Sequence, residues 1–311
     1  MSRAARLSTV VVTDRYETIR RFVDALCEQT VSEELELVVS CPFRQALEIP
    51  HAVRRALAGV ACAEAPLLPL GEARAAGVRE SSAPVVAIGE THAFPAPDWA
   101  EQILQAHEGP WAVVVPSIEN ANPSGGAQSW SSFLIDYGEW WARRQPAEVR
   151  AMPSYNVAFK RAALLSLEPR LGELLEPGST LAQELARRGE RAYFEPQARI
   201  EHLNVARPGA WLHERYLGGR LLGAKRRARW PALRTLVYIG GSPLIPVVRL
   251  LRTRKAFATA RRERQLPPRT TLALVVACVV WAIGELVGYV AGRGPAESRM
   301  LEYELDKARY T

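Results

Sequence analysis

Apolar runs alternate with helix-like spacings through the first two hundred residues of the chain. Short runs rich in β-branched residues predict buried strands at 7–12, 34–39, 84–89 and 111–118, and "RAYFEP" predicts a later strand. Apolar residues at helical spacing separate these runs, so strand and helix alternate. Such alternation is the pattern of a mostly parallel sheet with helices on both faces. The predicted fold class is therefore α/β.

Two of the predicted helices start with the spacing of a capping box. Asp14 precedes Glu17 by three residues, and Asp98 precedes Glu101 in the same way. Each pair is expected to bind the first amides of the helix that it opens. Gly189 closes a third predicted helix, "STLAQELARRG", as glycine commonly does just past a helix end.

The stretch 119–154 has a different character from the sheet segments around it. It is rich in Trp, Ser, Gly and Arg and shows no clear period. The sequence therefore predicts a long and partly mobile loop there.

Two apolar segments follow residue 206 and predict a membrane-associated helical tail. The segment of about 232–251 has 14 uncharged residues between Arg234 and Arg249 and is broken by Gly-Gly and two prolines, so an interfacial or re-entrant helix is expected. The segment of about 270–292 carries one charge, Glu285, and is long enough to span a bilayer. The alternative for the second segment is a buried core helix. Glu285 is expected at the interface or facing protein, because a carboxylate at the bilayer midplane is costly.

The charge of the chain, formally +7, is concentrated in the tail. Residues 207–269 hold 16 Lys or Arg against Glu214 and Glu263 alone, which predicts a surface facing phosphate in lipid headgroups or nucleic acid. The neighbouring apolar segments favour lipid, and no stacking aromatics indicate a nucleic-acid groove. The basic run before residue 270 is expected on the cytoplasmic side of a membrane. The four cysteines show no metal-binding spacing and the N-terminal stretch no secretory signal, so a reducing, cytoplasmic setting is expected for the sheet domain.

Glu90 and His92 follow the third predicted strand, and ligands of parallel sheets bind beyond the carboxyl ends of the strands. In extended backbone, residues i and i+2 point the same way, so a carboxylate and an imidazole would share one face. Such a pair can hold a divalent ion, Mn²⁺ or Mg²⁺, and the mixed set suits manganese. The ion would neutralise a departing diphosphate. On spacing alone, a solvated loop end is the alternative.

From about Ser8 to Asn204 the chain resembles the family-2 glycosyltransferases, inverting enzymes of GT-A fold. "LSTVVVTDRYETIRRFVDALCEQTVSEELELVVS" is similar to their opening strand, helix and second strand, and "GEARAAGVRESSAPVVAIGETHAFPAPDWAE" to the stretch around their Asp-x-Asp motif. "SYNVAFKRAALL" and "LAQELARRGERAYFEPQARIEHLN" resemble the acceptor-side segment and the closing helix, strand and histidine. The resemblance implies a GT-A domain over 1–205, with a Rossmann-like mixed sheet, and a membrane tail over 206–311.

The resemblance also implies roles for particular residues. Glu90 and His92 stand at the two acidic positions of the motif and would bind the metal. Glu90 would also contact the donor, and His202 would be a further metal ligand. The remaining donor-site candidates are Thr13, Asp14 and Arg74, and Asn156 is the acceptor-side candidate. For His202 and Arg74, an ordinary structural or solvated role is the alternative.

Two departures from the family pattern bear on mechanism. Ser40 and Cys41 stand where the family has a base-recognising aspartate, and Gly178 lies near the expected catalytic acid. Glu176 is the nearest carboxylate that could act as base, with Asp136 and Glu139 as fallbacks; a solvated loop acid is the alternative reading of Glu176.

The expected function is transfer of a sugar from a nucleotide-diphosphate sugar to a hydroxyl acceptor at the cytoplasmic face of the cell membrane. The basic tail favours a lipid-linked acceptor or a precursor of a cell-envelope polysaccharide. A degenerate, non-catalytic binding or scaffold protein is the alternative. Nucleic acid is not an expected partner.

Overall fold

The structure is a computed structural model that describes residues 4–143, 145–263 and 265–311. Its contacts divide the chain into two compact units. The first comprises residues up to 119 together with 143–201, and the second comprises 120–142 and 202–311.

The elements of the sheet-bearing part follow one another as strand and helix. They are β1 (Leu7–Val12), α1 (Tyr16–Cys27), β2 (Leu35–Cys41), α2 (His51–Ala56), β3 (Gly59–Glu64), α3 (Leu70–Glu80), β4 (Val85–Ile88), β5 (Ala93–Pro95), α4 (Trp99–His107), β6 (Val113–Asn120), α5 (Gly126–Asp136), α6 (Gly138–Ala142), β7 (Ala147–Val149), β8 (Val157–Lys160), α7 (Arg161–Leu165), α8 (Leu171–Leu175), α9 (Leu181–Arg187) and β9 (Ala192–His202). Helices fill the rest of the chain: α10 (Pro208–Arg229), α11 (Ala232–Gly240), α12 (Ile245–Arg262), α13 (Thr270–Ala291) and α14 (Ala296–Leu305).

The strands form a mixed sheet in the order β3-β2-β1-β4-β8-β6-β9-β5, with β7 paired to β9. β1 pairs in parallel with both β2 and β4, and Val10 lies opposite Val38 on one side and Ile88 on the other. β8 is antiparallel to β4 and to β6. All residues of β1, β2 and β4 are buried, which explains why apolar residues predominate in these strands. The predicted α/β class is confirmed.

The two predicted capping boxes do not form. α1 starts at Tyr16 after Arg15; the Thr13 hydroxyl bonds to Thr18 Oγ1 at 2.5 Å, and the Asp14 carboxylate pairs with Arg15 Nη1 at 2.9 Å. Asp98 does occupy the residue before α4, but its side chain makes no capping hydrogen bond. Glu101 instead accepts a bond from Thr30 Oγ1 at 3.0 Å. Asp14 and Glu101 therefore have partners other than the first amides of their helices.

The loop predicted over 119–154 is largely helical, so that prediction was wrong. α5 and α6 lie there, followed by β7. The rings of Trp130, Phe133 and Trp141 pack edge to face. The centroids of Trp130 and Phe133 are 5.9 Å apart, and each lies 6.0 Å from that of Trp141. The aromatic residues that obscured the helical period are therefore the buried core of this helical pair.

The second unit is built on a close pairing of α10 with α13. Gly219 and Gly223 of α10, and Gly284 and Gly288 of α13, lie against the backbone of the other helix. A Cβ added at Gly223 would come within 2.1 Å of the Glu285 carbonyl oxygen, and one at Gly284 equally close to that of Tyr216. Residues later in α10 contact residues later in α13, so the two helices run parallel. α10 was not predicted from the sequence. It contacts α13 through glycines, and its many charged residues leave no clear apolar stripe at helical spacing.

The tail segments have the predicted helical character, but the first of them has different limits. The segment expected at about 232–251 is two helices, α11 and α12, joined by a short 3-10 turn at Ser242–Leu244. α13 is the one helix of the described residues that is long and apolar enough to cross a membrane, with a mean hydropathy of 2.2. Its Glu285 faces protein and accepts a hydrogen bond from Tyr289 Oη at 2.6 Å.

Replacing Gly223 by Ala should destabilise the second unit, because the added methyl group meets backbone that cannot move aside. We expect a loss of about 1–3 kcal/mol in the free energy of unfolding, measured by urea denaturation. Gly240→Ala is the matched control, since Gly240 lies in α11 with no atom near its Cβ position. The control should be neutral or stabilising by up to about 1 kcal/mol. Equal effects of the two changes would contradict the close pairing.

Candidate active site

Glu90 and His92 lie together in the turn that connects β4 to β5. His92 Nε2 is 3.6 Å from Glu90 Oε1, and both side chains are buried, at 2% and 3% exposure. The two groups were expected on one face of extended backbone, whereas the structure brings them together through a turn. Their proximity agrees with the prediction, although its cause differs.

The turn is fixed to the strands on both sides of it. The Gly89 amide donates to the Val10 carbonyl at 2.8 Å, which holds the start of the turn against β1. Thr91 Oγ1 lies 3.1 Å from His92 Nδ1, so the hydroxyl orients the imidazole and leaves the Nε2 side toward Glu90. A ring held through one nitrogen is the usual arrangement of a metal-binding histidine.

Asn156 connects the acceptor-side segment to this turn. Its backbone amide donates to the Ile88 carbonyl at 2.7 Å, and its side-chain amide donates to Glu90 Oε2 at 2.6 Å. Asn156 has a φ of 58°, a left-handed conformation that asparagine tolerates better than most residues. The residue is buried and holds the Glu90 carboxylate in place.

The two residues before Asn156 reach two further predicted positions. Tyr155 lies under the guanidinium of Arg74, with Arg74 Cζ 3.8 Å from the ring centroid. Ser154 Oγ accepts a hydrogen bond from the Gly178 amide at 3.2 Å. The three-residue segment 154–156 therefore links the Glu90 turn, helix α3 and the loop after α8. Ser154 and Tyr155 were not predicted as site residues; their position directly before Asn156 was the available signal.

Arg74 is a buried cation on α3. Its Nη1 donates to the Leu175 carbonyl at 3.2 Å, and its Nε has no hydrogen-bond partner among the described residues. A buried guanidinium donor without a partner suits a planar or tetrahedral anion. The expected alternative, a solvated helix residue, does not hold for a side chain of 3% exposure.

Glu176 is already engaged with the protein. Its Oε1 accepts a hydrogen bond from the Gly71 amide, in the first turn of α3, at 2.6 Å. A carboxylate at a helix N-terminus is a stabilising arrangement. The alternative of a solvated loop acid is thus replaced by a helix-capping role. Gly178, near the position expected for an acid, has a φ of 64°, a conformation that favours glycine.

The remaining residues expected in the donor site lie at the ends of β1 and β2. Thr13 is buried, and its amide donates to the Ser40 carbonyl at 3.0 Å. Asp14 is half-exposed and pairs with Arg15 Nη1 at 2.9 Å. Cys41 Sγ lies 3.1 Å from Cys62 Sγ, and burial raises the pKa of the Cys41 thiol to about 12. Neither Ser40 nor Cys41 supplies the carboxylate that the family uses to read a base.

His202 ends β9 and is held by an asparagine network. Its Nδ1 lies 3.2 Å from Asn204 Oδ1, and its ring centroid 4.5 Å from that of Tyr137. Asn204 Nδ2 donates to Asn120 Oδ1 at 3.0 Å, while Asn122 Oδ1 accepts from the Asn204 amide at 2.9 Å. This network was not predicted from the sequence, where the Asn-x-Asn pair at the end of β6 was the available signal.

Burial chiefly, with the positive charges of Lys307 and Arg215, holds the pKa of His202 well below its usual value. The imidazole is therefore neutral near pH 7, and neutral imidazole is the form that binds a metal. Glu90 and His92 in the first unit and His202 in the second are each buried candidates for a metal ligand. The carboxylate and imidazole of the Glu90–His92 pair suit Mn²⁺. The 3.6 Å between Glu90 Oε1 and His92 Nε2 is close to the separation of about 3 Å expected for neighbouring ligands of an octahedral ion.

Asp136 and Glu139, the two alternative candidates for the base, lie on helices α5 and α6. Asp136, at the end of α5, forms an ion pair with Arg215 Nη1 at 2.8 Å. Glu139 is exposed on α6.

The small cavity behind the Glu90 turn, about 10 Å³ and lined by Phe22, Trp99 and Asn156 among others, is too small for a nucleoside.

Comparison with known proteins identifies the fold class of the chain. No protein-family model matches the sequence, and no curated protein matches it. The mannosyltransferase PcManGT from Pyrobaculum calidifontis, solved in complex with GDP-Man and Mn²⁺, is similar over 100% of this chain and 82% of its own, with a TM-score of 0.50 and 20% identity. This likeness shows the GT-A fold.

Two further similar structures are also glycosyltransferases. GalNAc-T7, solved with UDP, GalNAc and Mn²⁺, matches 65% of this chain with a TM-score of 0.48 and 17% identity, and this chain spans 44% of its length. TarS from S. aureus matches 91% of this chain and 55% of its own, with a TM-score of 0.48 and 14% identity.

Replacing Asn156 by Ala should destabilise the first unit by about 1–3 kcal/mol in the free energy of unfolding. The change removes the bond to buried Glu90 and leaves alanine in a left-handed conformation. Asn156→Gly is the matched variant, because glycine accepts the conformation and loses only the hydrogen bond. It should cost less than Asn156→Ala in urea denaturation. An alanine variant as stable as the wild type would show that the bond to Glu90 is not formed.

Proposed function

We propose that this protein is an inverting glycosyltransferase, resembling family 2, that moves a sugar from a nucleotide-diphosphate sugar to a hydroxyl acceptor with the help of a divalent cation. The observation that carries the proposal is the buried Glu90–His92 pair, fixed by Asn156 at the end of β4. The fold is shared with a mannosyltransferase solved with GDP-Man and Mn²⁺, which supports a nucleotide-sugar donor.

The chain's own residues would divide the binding of the donor. Glu90, His92 and His202 would hold Mn²⁺ or Mg²⁺, which supplies positive charge to the departing diphosphate when bound. Arg74 would donate to a phosphate oxygen through its unpartnered Nε. Thr13 and Asp14 would lie beside the nucleoside at the end of β1.

Inversion requires a base on the acceptor side. The acceptor oxygen would attack the anomeric carbon as its proton passes to Glu176 and the nucleoside diphosphate leaves with the electrons of the glycosidic bond. Glu176 would have to release the Gly71 amide to reach the acceptor. Asp136 is a weaker candidate because Arg215 already binds its carboxylate. Asn156 is better supported as a positioning residue for Glu90 than as an acceptor contact.

Membrane attachment belongs to the same proposal. The exposed basic and apolar residues of the second unit support a place at the cytoplasmic face of the cell membrane. The enzyme would be of the hexosyltransferase type, and a lipid-linked hydroxyl acceptor or a precursor of a cell-envelope polysaccharide would be presented there.

A second candidate function is a degenerate transferase that binds a nucleotide sugar without turnover. The helix-capping role of Glu176 and the glycine at 178 favour it, because no other carboxylate in that loop replaces the base. The two candidates differ in whether bound donor is consumed.

The test uses detergent-purified full-length protein with a panel of UDP- and GDP-sugars, Mn²⁺ or Mg²⁺, and a membrane lipid extract as the acceptor source. We expect nucleoside diphosphate release from one donor, lost on chelation and restored by Mn²⁺. Glu90→Gln and His92→Ala should each lower the rate by about 100-fold or more. Glu48→Gln, on an exposed glutamate, is the control and should leave it unchanged. Release that survives both chelation and Glu90→Gln would contradict the proposal.

Glu176→Gln decides between the two candidates in the same assay. Glutamine keeps an oxygen for the Gly71 amide but cannot take a proton, so thermal stability should persist while turnover falls about 100-fold. Full turnover by this variant would exclude Glu176 as the base. Donor binding by the wild type without release, with any acceptor source, would favour the degenerate protein.

A further inference from the structure

The exposed apolar surface of the described residues is concentrated in the second unit. Apart from Phe43 and Leu212, every large hydrophobic side chain that is exposed lies between Leu233 and Val290, on α11, α12 and α13 or the turn between them. On α11 and α12, Leu236 is 62% exposed and Leu251 56%. Such concentration marks an interaction surface.

α13 contributes a stripe to this surface along its whole length. The exposed residues of the stripe recur at helical spacing, and they are Leu272, Val275, Val279, Ile283 and Val290. The opposite face of α13 packs on α10 through the glycine contacts. α13 therefore has one face in the protein and one apolar face that the described chain leaves uncovered.

The chemistry beside this apolar surface indicates what covers it. From Arg215 to Arg262 the sequence holds no Asp or Glu. Exposed cations lie on α12 next to the apolar residues, among them Arg252, Arg254, Lys255, Arg261 and Arg262. Apolar side chains bordered by cations alone complement an anionic lipid surface, in which acyl chains lie beneath phosphate groups.

A spanning orientation of α13 conflicts with its neighbours. Trp281 lies halfway along the helix, and the guanidinium of Arg249 is 3.9 Å from its ring centroid. Arg215, 5.9 Å from the same ring, is ion-paired with Glu214 and Asp136. If α13 crossed a bilayer, this charge cluster would lie at the midplane, where ionised side chains are costly.

The parallel helix α10 would share the orientation of α13. It carries Arg220, Lys225, Arg226 and Arg227 along the same length. With α10 beside it, α13 fits the plane of the membrane interface, where charged neighbours remain in water.

We propose that α11, α12 and α13 together form a monotopic binding surface for an anionic bilayer, with α13 lying in the plane of one leaflet. This inference rests on the membrane attachment proposed above and replaces the spanning geometry expected from the sequence. It does not depend on sugar transfer, since vesicle binding is measured without donor.

The first experiment measures flotation of full-length protein with vesicles of phosphatidylcholine containing phosphatidylserine. The triple variant Leu236→Ser, Leu251→Ser, Ile283→Ser should weaken partitioning about tenfold or more. Phe43→Ser, on an exposed side chain outside the surface, should not change it. Arg254→Gln with Lys255→Gln should weaken it about tenfold, whereas the paired control Arg54→Gln with Arg55→Gln should not. Vesicle binding that is the same without phosphatidylserine, and the same for the triple variant as for the wild type, would overturn the proposal.

The second experiment separates an in-plane helix from a spanning one. Single cysteines are placed on the two sides of α13 by Gln265→Cys and Ser298→Cys, both exposed positions. In inside-out membrane vesicles, a membrane-impermeant maleimide should modify both sites, located by peptide mass. Modification of one site alone, with the other reacting only after detergent, would show that α13 spans and would overturn the proposal. Loss of donor turnover has no bearing on either result.

Discussion

The hydrogen bond from the Asn156 side chain to Glu90 is the interaction on which the account of the site depends. It joins two segments 66 residues apart in sequence and is made in a buried place, where an unmet carboxylate oxygen would be costly. The same asparagine adopts a left-handed conformation so that its backbone amide can also reach Ile88. One residue thus fixes both the turn after β4 and the orientation of its carboxylate.

Neighbours of Asn156 extend this constraint to the other candidate residues of the first unit. Tyr155 holds the Arg74 guanidinium, and Ser154 holds the Gly178 amide. A shift of the 154–156 segment would therefore move the metal candidates, the phosphate candidate and the loop of Glu176 together. Preorganisation of this kind is what a site needs when charge develops during a reaction.

Local pattern predicted the sheet core but not the contacts that build the site. β1, β2 and β4 were predicted correctly because they are buried on both faces and are rich in aliphatic, largely β-branched residues. Glu90 and His92 were expected to lie close together on extended backbone, whereas a turn brings them together. The capping of α3 by Glu176 and the bond from Asn156 join residues 105 and 66 positions apart, and no periodicity encodes them. α5 was taken for a loop because its aromatic core lacks a simple apolar stripe.

The most direct measurement of the central claim is a titration of purified protein with Mn²⁺, followed by electron paramagnetic resonance of the unbound ion. We expect one Mn²⁺ site per chain, with an affinity lowered about tenfold or more by Glu90→Gln, His92→Ala or His202→Ala and unchanged by Glu48→Gln. Equal affinity in the wild type and in the Glu90 and His92 variants would contradict it.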